Sequence, residues 1–105
     1  MEVAGELILP VLVRRKRSSL EIKFDVLKVI SLGVDGPTRI MYASNISWKV
    51  LKGILEDLLK KELIVEVGGM QKRYRLTEKG RELLRKYEEI QRAMNERKGF
   101  EGSER

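Results

Sequence analysis

Four cations stand side by side at Arg14, Arg15, Lys16 and Arg17. Further cations recur mid-chain at Lys49, Lys52, Lys72 and Arg73, with Thr38 beside Arg39 and Ser47 beside Trp48. Grouped Lys and Arg hold polyanions, through charge and through hydrogen bonds to anionic oxygens. Other chemistries lack their residues. The 105 residues include no cysteine and no histidine, which removes disulfides, thiolate nucleophiles, the usual zinc sites and histidine bases. The remaining Asp, Glu, Lys, Ser and Tyr form no cluster that suggests a catalytic site. The chain therefore reads as a non-enzyme with no cofactor and no metal.

The net charge is +6, with 36% charged and 42% hydrophobic residues, the profile of one globular domain with a heavily charged surface. The charge is uneven: residues 14–17 carry +4 and residues 47–61 carry +2, whereas residues 18–46 are neutral. Abundant Lys, Arg and Glu without Cys is a compositional hint of a hot environment. The apolar run from Leu7 to Val13, broken by Pro10, is too short to span a membrane. Glu2 and Glu6 stand where a signal peptide carries positive charge. The expected location is the cytoplasm, in association with the nucleoid, with no membrane partner.

These cations must be positioned by the elements around them. Ser18 and Glu21 have the spacing of a capping box before "SLEIKFDVLKVIS". There Leu20, Phe24, Leu27 and Ile30 or Ser31 predict one buried face, widened by Ile22, Val26 and Val29, and Gly33 predicts a left-handed end. Thr38 is the expected cap of a short helix, "RIMYAS", with Ile40, Met41 and Tyr42 turned inward. Asn45 suits a turn with positive φ, and Ser47 the N-cap of "WKVLKGILEDLLKK". That helix carries a stripe at Leu51, Ile54, Leu55, Leu58 and Leu59, with Glu56–Lys60 and Asp57–Lys61 as expected i,i+4 pairs. Two β-rich runs flank Gly68-Gly69 and predict a hairpin. A tight, even-length turn there would put Val65, Val67, Tyr74 and Leu76 on one face and Gln71, Arg73 and Arg75 on the other, with Arg75 able to reach Glu66. Thr77 is the expected cap of a long last helix, with Gly80 as a close-packing glycine. Along it Leu76, Gly80, Leu83, Tyr87, Ile90 and Met94 step by 4, 3, 4, 3, 4, the seam of a coiled coil.

A short helix, a tight turn, a longer helix and then a hairpin is the order of a winged helix-turn-helix. The expected fold is mainly α (α+β), with a two-stranded wing and a long C-terminal dimerisation helix. The divisions are an N-terminal arm at 1–17, the winged domain at 18–76, the dimerisation helix at 77–98 and a flexible tail at 99–105. In this layout the third helix offers its front to the major groove of double-stranded DNA. Ser47, Trp48, Lys49 and Lys52 lie on that front, and Gly53 leaves room for a close approach. Thr38 and Arg39 are placed to hold a phosphate. Lys72 and Arg73 would reach the flanking backbone from the wing, and Arg14, Arg15, Lys16 and Arg17 would neutralise phosphates or form a merely solvated run. An aromatic at a first turn, such as Trp48, more often packs on its neighbouring helix than on a base. Tyr42 reads as core rather than ligand.

"KRSSLEIKFDVLKVI", "TRIMYASNISWKVLKGILEDLLKKELI" and "YRLTEKGRELL" resemble a group of small archaeal winged-helix DNA-binding proteins, over roughly residues 16–95. Thr38, Ile40, Tyr42, Asn45, Ser47 and Trp48 match its sharpest motif, with Trp48 in place of the usual tyrosine. The resemblance implies a homodimer joined by antiparallel pairing of the last helix. That agrees with the seam at Leu83, Tyr87, Ile90 and Met94. About 20 helical residues reach some 30 Å, the width of a small domain, so packing on its own domain does not account for the whole helix. The segment 7–13 departs from the pattern. The expected role is sequence-specific or architectural DNA binding in transcription regulation. The alternative is a winged-helix module that binds protein within a transcription-related complex.

Overall fold

A computed structural model of the chain describes residues 17–103. The arm residues Arg14, Arg15 and Lys16 and the apolar segment 7–13 lie outside them. The described residues form four helices and one hairpin, in the order α1 (Ser19–Ser31), α2 (Pro37–Ser44), α3 (Trp48–Lys60), β1 (Ile64–Val67), β2 (Arg73–Leu76) and α4 (Glu78–Ser103). This is the winged helix-turn-helix that the element order predicts. No described helix is long and apolar enough to cross a membrane.

Local chemistry sets the helix ends. Ser18 and Glu21 form the full capping box: the Glu21 N–H donates to Ser18 Oγ at 3.0 Å and the Ser18 N–H to Glu21 Oε1 at 2.8 Å. Three helices then close by one device, a left-handed residue that turns two N–H groups back onto the last carbonyls. Gly33 (φ 99) does so after α1, Asn45 (φ 56) after α2 and Glu62 (φ 61) after α3. Helix α2 departs from expectation at its start. Gly36 is the N-cap and Pro37 the first helical residue, so Thr38 sits inside the first turn and caps nothing. Proline at that position loses only a hydrogen bond the helix never makes.

The core lies where α1, α3 and the hairpin meet, around Val26, Leu27, Leu51, Leu58 and Ile64, with Ile40 entering from α2. Two helical faces differ from the sequence reading. Leu20 is 58% exposed: α4 meets α1 further along, at the Phe24–Tyr87 stack (centroids 3.8 Å apart) and the Lys28–Glu88 ion pair. Tyr42 is 74% exposed. Ile40 and Ser44, four residues apart, form the buried face of α2, and a residue two beyond Ile40 points to the opposite side. Of the two expected pairs on α3, Asp57–Lys61 forms at 2.9 Å and Asp57 also takes Lys23 at 3.1 Å. Glu56–Lys60 is not among the ion pairs of the described residues.

The hairpin is antiparallel with Ile64 opposite Leu76, Val65 opposite Arg75, Glu66 opposite Tyr74 and Val67 opposite Arg73. Residues 68–72 form the connection, an odd number, so the expected faces are wrong by one residue on β1. Ile64, Tyr74 and Leu76 go inward, while Val65 and Val67 share the outer face with Arg73 and Arg75. Arg75 therefore lies across from Val65 and makes no pair with Glu66. At Gly68 (φ 93) a Cβ would lie 2.6 Å from the Gln71 carbonyl oxygen, so the loop closes between 68 and 71 rather than at a two-residue Gly-Gly turn.

A small joint fixes α4 to the base of the wing. The Thr77 hydroxyl donates to the Glu62 carbonyl (2.7 Å) and accepts from the Gly80 N–H (2.9 Å), while the Thr77 N–H donates to the Leu63 carbonyl (3.0 Å). Thr77 thus caps α4 as expected. Gly80 packs so closely that an added Cβ would stand 2.0 Å from the Leu63 oxygen. The expected seam splits from there. Leu84, which it omits, is buried. Tyr87 packs on Phe24, Leu83 is 38% exposed, and Ile90 and Met94 are 61% and 73% exposed. The helix runs on through Ser103, into the stretch 99–105 expected as a tail.

Candidate nucleic-acid interface

The front of α3 is built from its cap outward. Ser47, extended at φ −78 and ψ 164, accepts the Val50 N–H on its Oγ at 3.2 Å. Leu51, Ile54, Leu55 and Leu58 anchor the rear of the helix in the core. Lys49 points away from that face, Trp48 (50% exposed) and Lys52 flank it on one side, and Val50 (43% exposed) flanks it on the other. Gly53 faces outward too, and a Cβ there would meet nothing within 4 Å. The absence of a side chain at Gly53 is therefore not forced by the protein's own packing.

Of the six predicted basic residues that are described, Arg39, Lys52, Lys72 and Arg73 line two adjoining hollows. Thr38 and Arg39, from the start of α2, line the first together with Lys72 and Arg73 from the wing. Trp48 and Lys52 of α3 line the second with Lys72 and Tyr74, together with Pro37 and the carboxylates Glu56 and Glu66. Lys72 is common to both and links the wing to the front of α3. Lys49 lines neither and stands exposed on the same helix turn. Arg39, Lys49, Lys52 and Lys72 form no ion pair among the described residues, whereas Arg73 lies 3.5 Å from Asp35. The Tyr74 N–H also donates to the Asp35 carbonyl at 3.0 Å, which ties the wing to the loop before α2. Burial, with the Glu66 carboxylate, pushes the Tyr74 hydroxyl up from its ordinary value, so this residue stays neutral.

Arg17 is placed otherwise than expected. Its guanidinium is used internally, donating to Asp25 Oδ2 at 2.6 Å and to the Asn45 carbonyl at 3.0 Å. The sequence reading also missed three exposed groups, Tyr42, Val50 and Met70 in the loop of the wing, the last 97% exposed. For Tyr42 the helical period held the signal: a residue next to Met41 and two from Ile40 cannot share the face set by Ile40 and Ser44. Among the described residues no group of three or more His, Cys, Asp or Glu is placed to hold a metal ion.

A family model for winged helix-turn-helix proteins matches residues 16–95. The chain belongs to that family. Two proteins of the archaeon Methanocaldococcus jannaschii, both described as uncharacterised, are similar to it. One is 39% identical over 75 residues, covering 71% of this chain and 34% of its own length. The other is 33% identical over 82 residues, covering 78% of this chain and 81% of its own. The chain thus spans about a third of the first relative and most of the second. Among solved structures, Sso10a-2, a DNA-binding protein of Sulfolobus solfataricus, is similar at 27% identity and a TM-score of 0.61, over 79% of this chain and 90% of that one.

Proposed function

We propose that the chain binds double-stranded DNA as a homodimer and regulates transcription, with α3 in the major groove and the wing along the flanking backbone. The observation that carries the reading is the gathering of Arg39, Lys52 and Lys72, cations of α2, α3 and the wing that form no ion pair among the described residues, into adjoining hollows beside the N-terminus of α3, whose linings also include Asp35, Glu56 and Glu66. An α-helix fits the major groove, and its N-terminal N–H groups favour phosphate. The similarity to Sso10a-2, a DNA-binding protein, supports the same partner. In this arrangement Ser47 and Trp48 face the groove, Lys49 and Lys52 take phosphates at its edge, Thr38 and Arg39 take one further backbone phosphate, and Lys72 and Arg73 take another. The described residues leave Arg14, Arg15 and Lys16 aside. These keep their proposed role as phosphate-neutralising residues of the arm.

The dimer is proposed from α4. At 26 residues it is about 39 Å long, and its contacts with its own domain include Leu84, Tyr87 and Glu88. Leu83, Ile90 and Met94 remain exposed along it, and a second copy of the same helix would bury them, with the exposed edge of Tyr87 at the margin.

Duplex binding by the double variant Lys49→Glu/Lys52→Glu tests the reading: binding is lost while the thermal midpoint holds. One observation favours a second reading, a protein-binding front: Trp48 is half exposed beside Lys52, and an exposed tryptophan is a common anchor of protein interfaces. Under that reading the charge reversal leaves the partner bound and Trp48→Ala releases it.

A further inference from the structure

Arg17 immediately precedes the Ser18 cap of α1, yet its side chain reaches the turn between α2 and α3. One guanidinium nitrogen, Nη1, bonds Asp25 Oδ2 in the middle of α1 (2.6 Å), and the other, Nη2, bonds the backbone carbonyl of Asn45 (3.0 Å). Asn45 is the left-handed residue of the turn, at φ 56 and ψ 53, and only Ile46 separates it from the Ser47 cap of α3. The carbonyl that Arg17 holds therefore belongs to the peptide that sets the direction in which the chain enters α3. Both ends of the fork are engaged by the chain's own groups at a partly exposed site, and the acid it meets would oppose a phosphate in the same place.

We infer that Arg17 is a positioning residue for the reading helix: its forked bond to Asp25 and the Asn45 carbonyl fixes the angle at which the front of α3 meets DNA, and it is not itself a phosphate contact. The inference rests on the DNA-binding reading above. It turns on the planar fork of arginine, which two separate nitrogens present in fixed geometry. A lysine keeps the charge but brings a single flexible ammonium to the same place. A phosphate contact, by contrast, tolerates lysine as a point charge.

The test is duplex binding by the full chain over a salt series, for wild type, Arg17→Lys, Arg17→Ala and Asp25→Asn. Thermal melting of each is recorded, and so is the emission of Trp48, the single tryptophan, without DNA. Arg17→Lys and Asp25→Asn should each weaken binding by roughly tenfold, the scale of one charge-assisted hydrogen bond, with the salt slope unchanged. Both should shift Trp48 emission at temperatures where each remains folded. Combining the two changes should cost no more than either alone, because both break one link. Three results overturn the inference: wild-type affinity in Arg17→Lys, tighter binding in Asp25→Asn through a released arginine, or a slope flattened by about 0.9 in Arg17→Ala, the mark of one lost phosphate contact. If the wild type itself fails to bind duplex, the DNA-binding reading falls. Trp48 emission then decides alone, and an unshifted spectrum in Arg17→Lys overturns the positioning role.

Discussion

At Gly53 two effects of one methyl group can be told apart. The residue lies in α3 with open space around its Cα, and glycine inside a helix is about 0.5–1 kcal/mol less favourable than alanine. Gly53→Ala should therefore raise stability by about that amount, read as an upward shift in the denaturation midpoint. If DNA comes close at this turn, the same variant should bind duplex more weakly. Stabilisation with unchanged affinity would remove Gly53 from the interface. Asp57 gives a second prediction at this scale. Its hydrogen bonds to Lys61 and then Lys23 hold its carboxyl below the usual value of 3.8. A lowered folded pKa adds stability above the unfolded pKa, and that contribution goes as pH falls through the folded one. Wild type should thus lose stability between neutral pH and the acid side of 3.8 more steeply than Asp57→Asn, as parallel denaturation series at several pH values would record. The bridge is exposed, so the difference should be small.

Among the elements, the joint between the wing and α4 makes the sharpest demand. The Leu63 carbonyl, the Thr77 cap and Gly80 meet with no room for a Cβ. Gly80→Ala must push α4 away from the start of β1 and should cost about 1–3 kcal/mol, against the usual gain for alanine in a helix. Equilibrium denaturation measures it, and a neutral result would show that α4 shifts freely here. Elements governed by local chemistry were legible in the sequence: the Ser18–Glu21 box, the Ser47 and Thr77 caps, and the left-handed Gly33 and Asn45 are each set by a few adjacent residues. The hairpin register was not. It depends on whether the loop has an even or odd number of residues, and Gly68-Gly69 suggested a tighter turn than the one the Gln71 carbonyl closes. The outward placement of Tyr42 was available from period alone. The internal use of Arg17 was not, because its partners lie 8 and 28 residues away and no local pattern links them.

The described residues form a winged domain with a last helix of 26 residues that outruns it. The 4-3 seam combined two environments: Gly80 serves the chain's own core, Tyr87 stacks on Phe24, and Ile90 and Met94 face outward. Sequence spacing places residues on a helix but does not say where the neighbouring domain stops. If a second copy covers the outward part, Ile90→Glu/Met94→Glu should yield monomers in sedimentation and leave the melting of the winged domain nearly unchanged. A monomeric wild type at micromolar concentration would contradict the dimer. The central claim is narrower: the lysines on the front of α3 are phosphate contacts. Its most direct measurement is the slope of log affinity against log salt for duplex DNA, in wild type and in Lys49→Ala and Lys52→Ala. A steep negative slope is predicted for wild type, flatter by about 0.9 in each variant. A wild type that does not bind duplex at low salt, or variants whose slopes match it, would contradict the account.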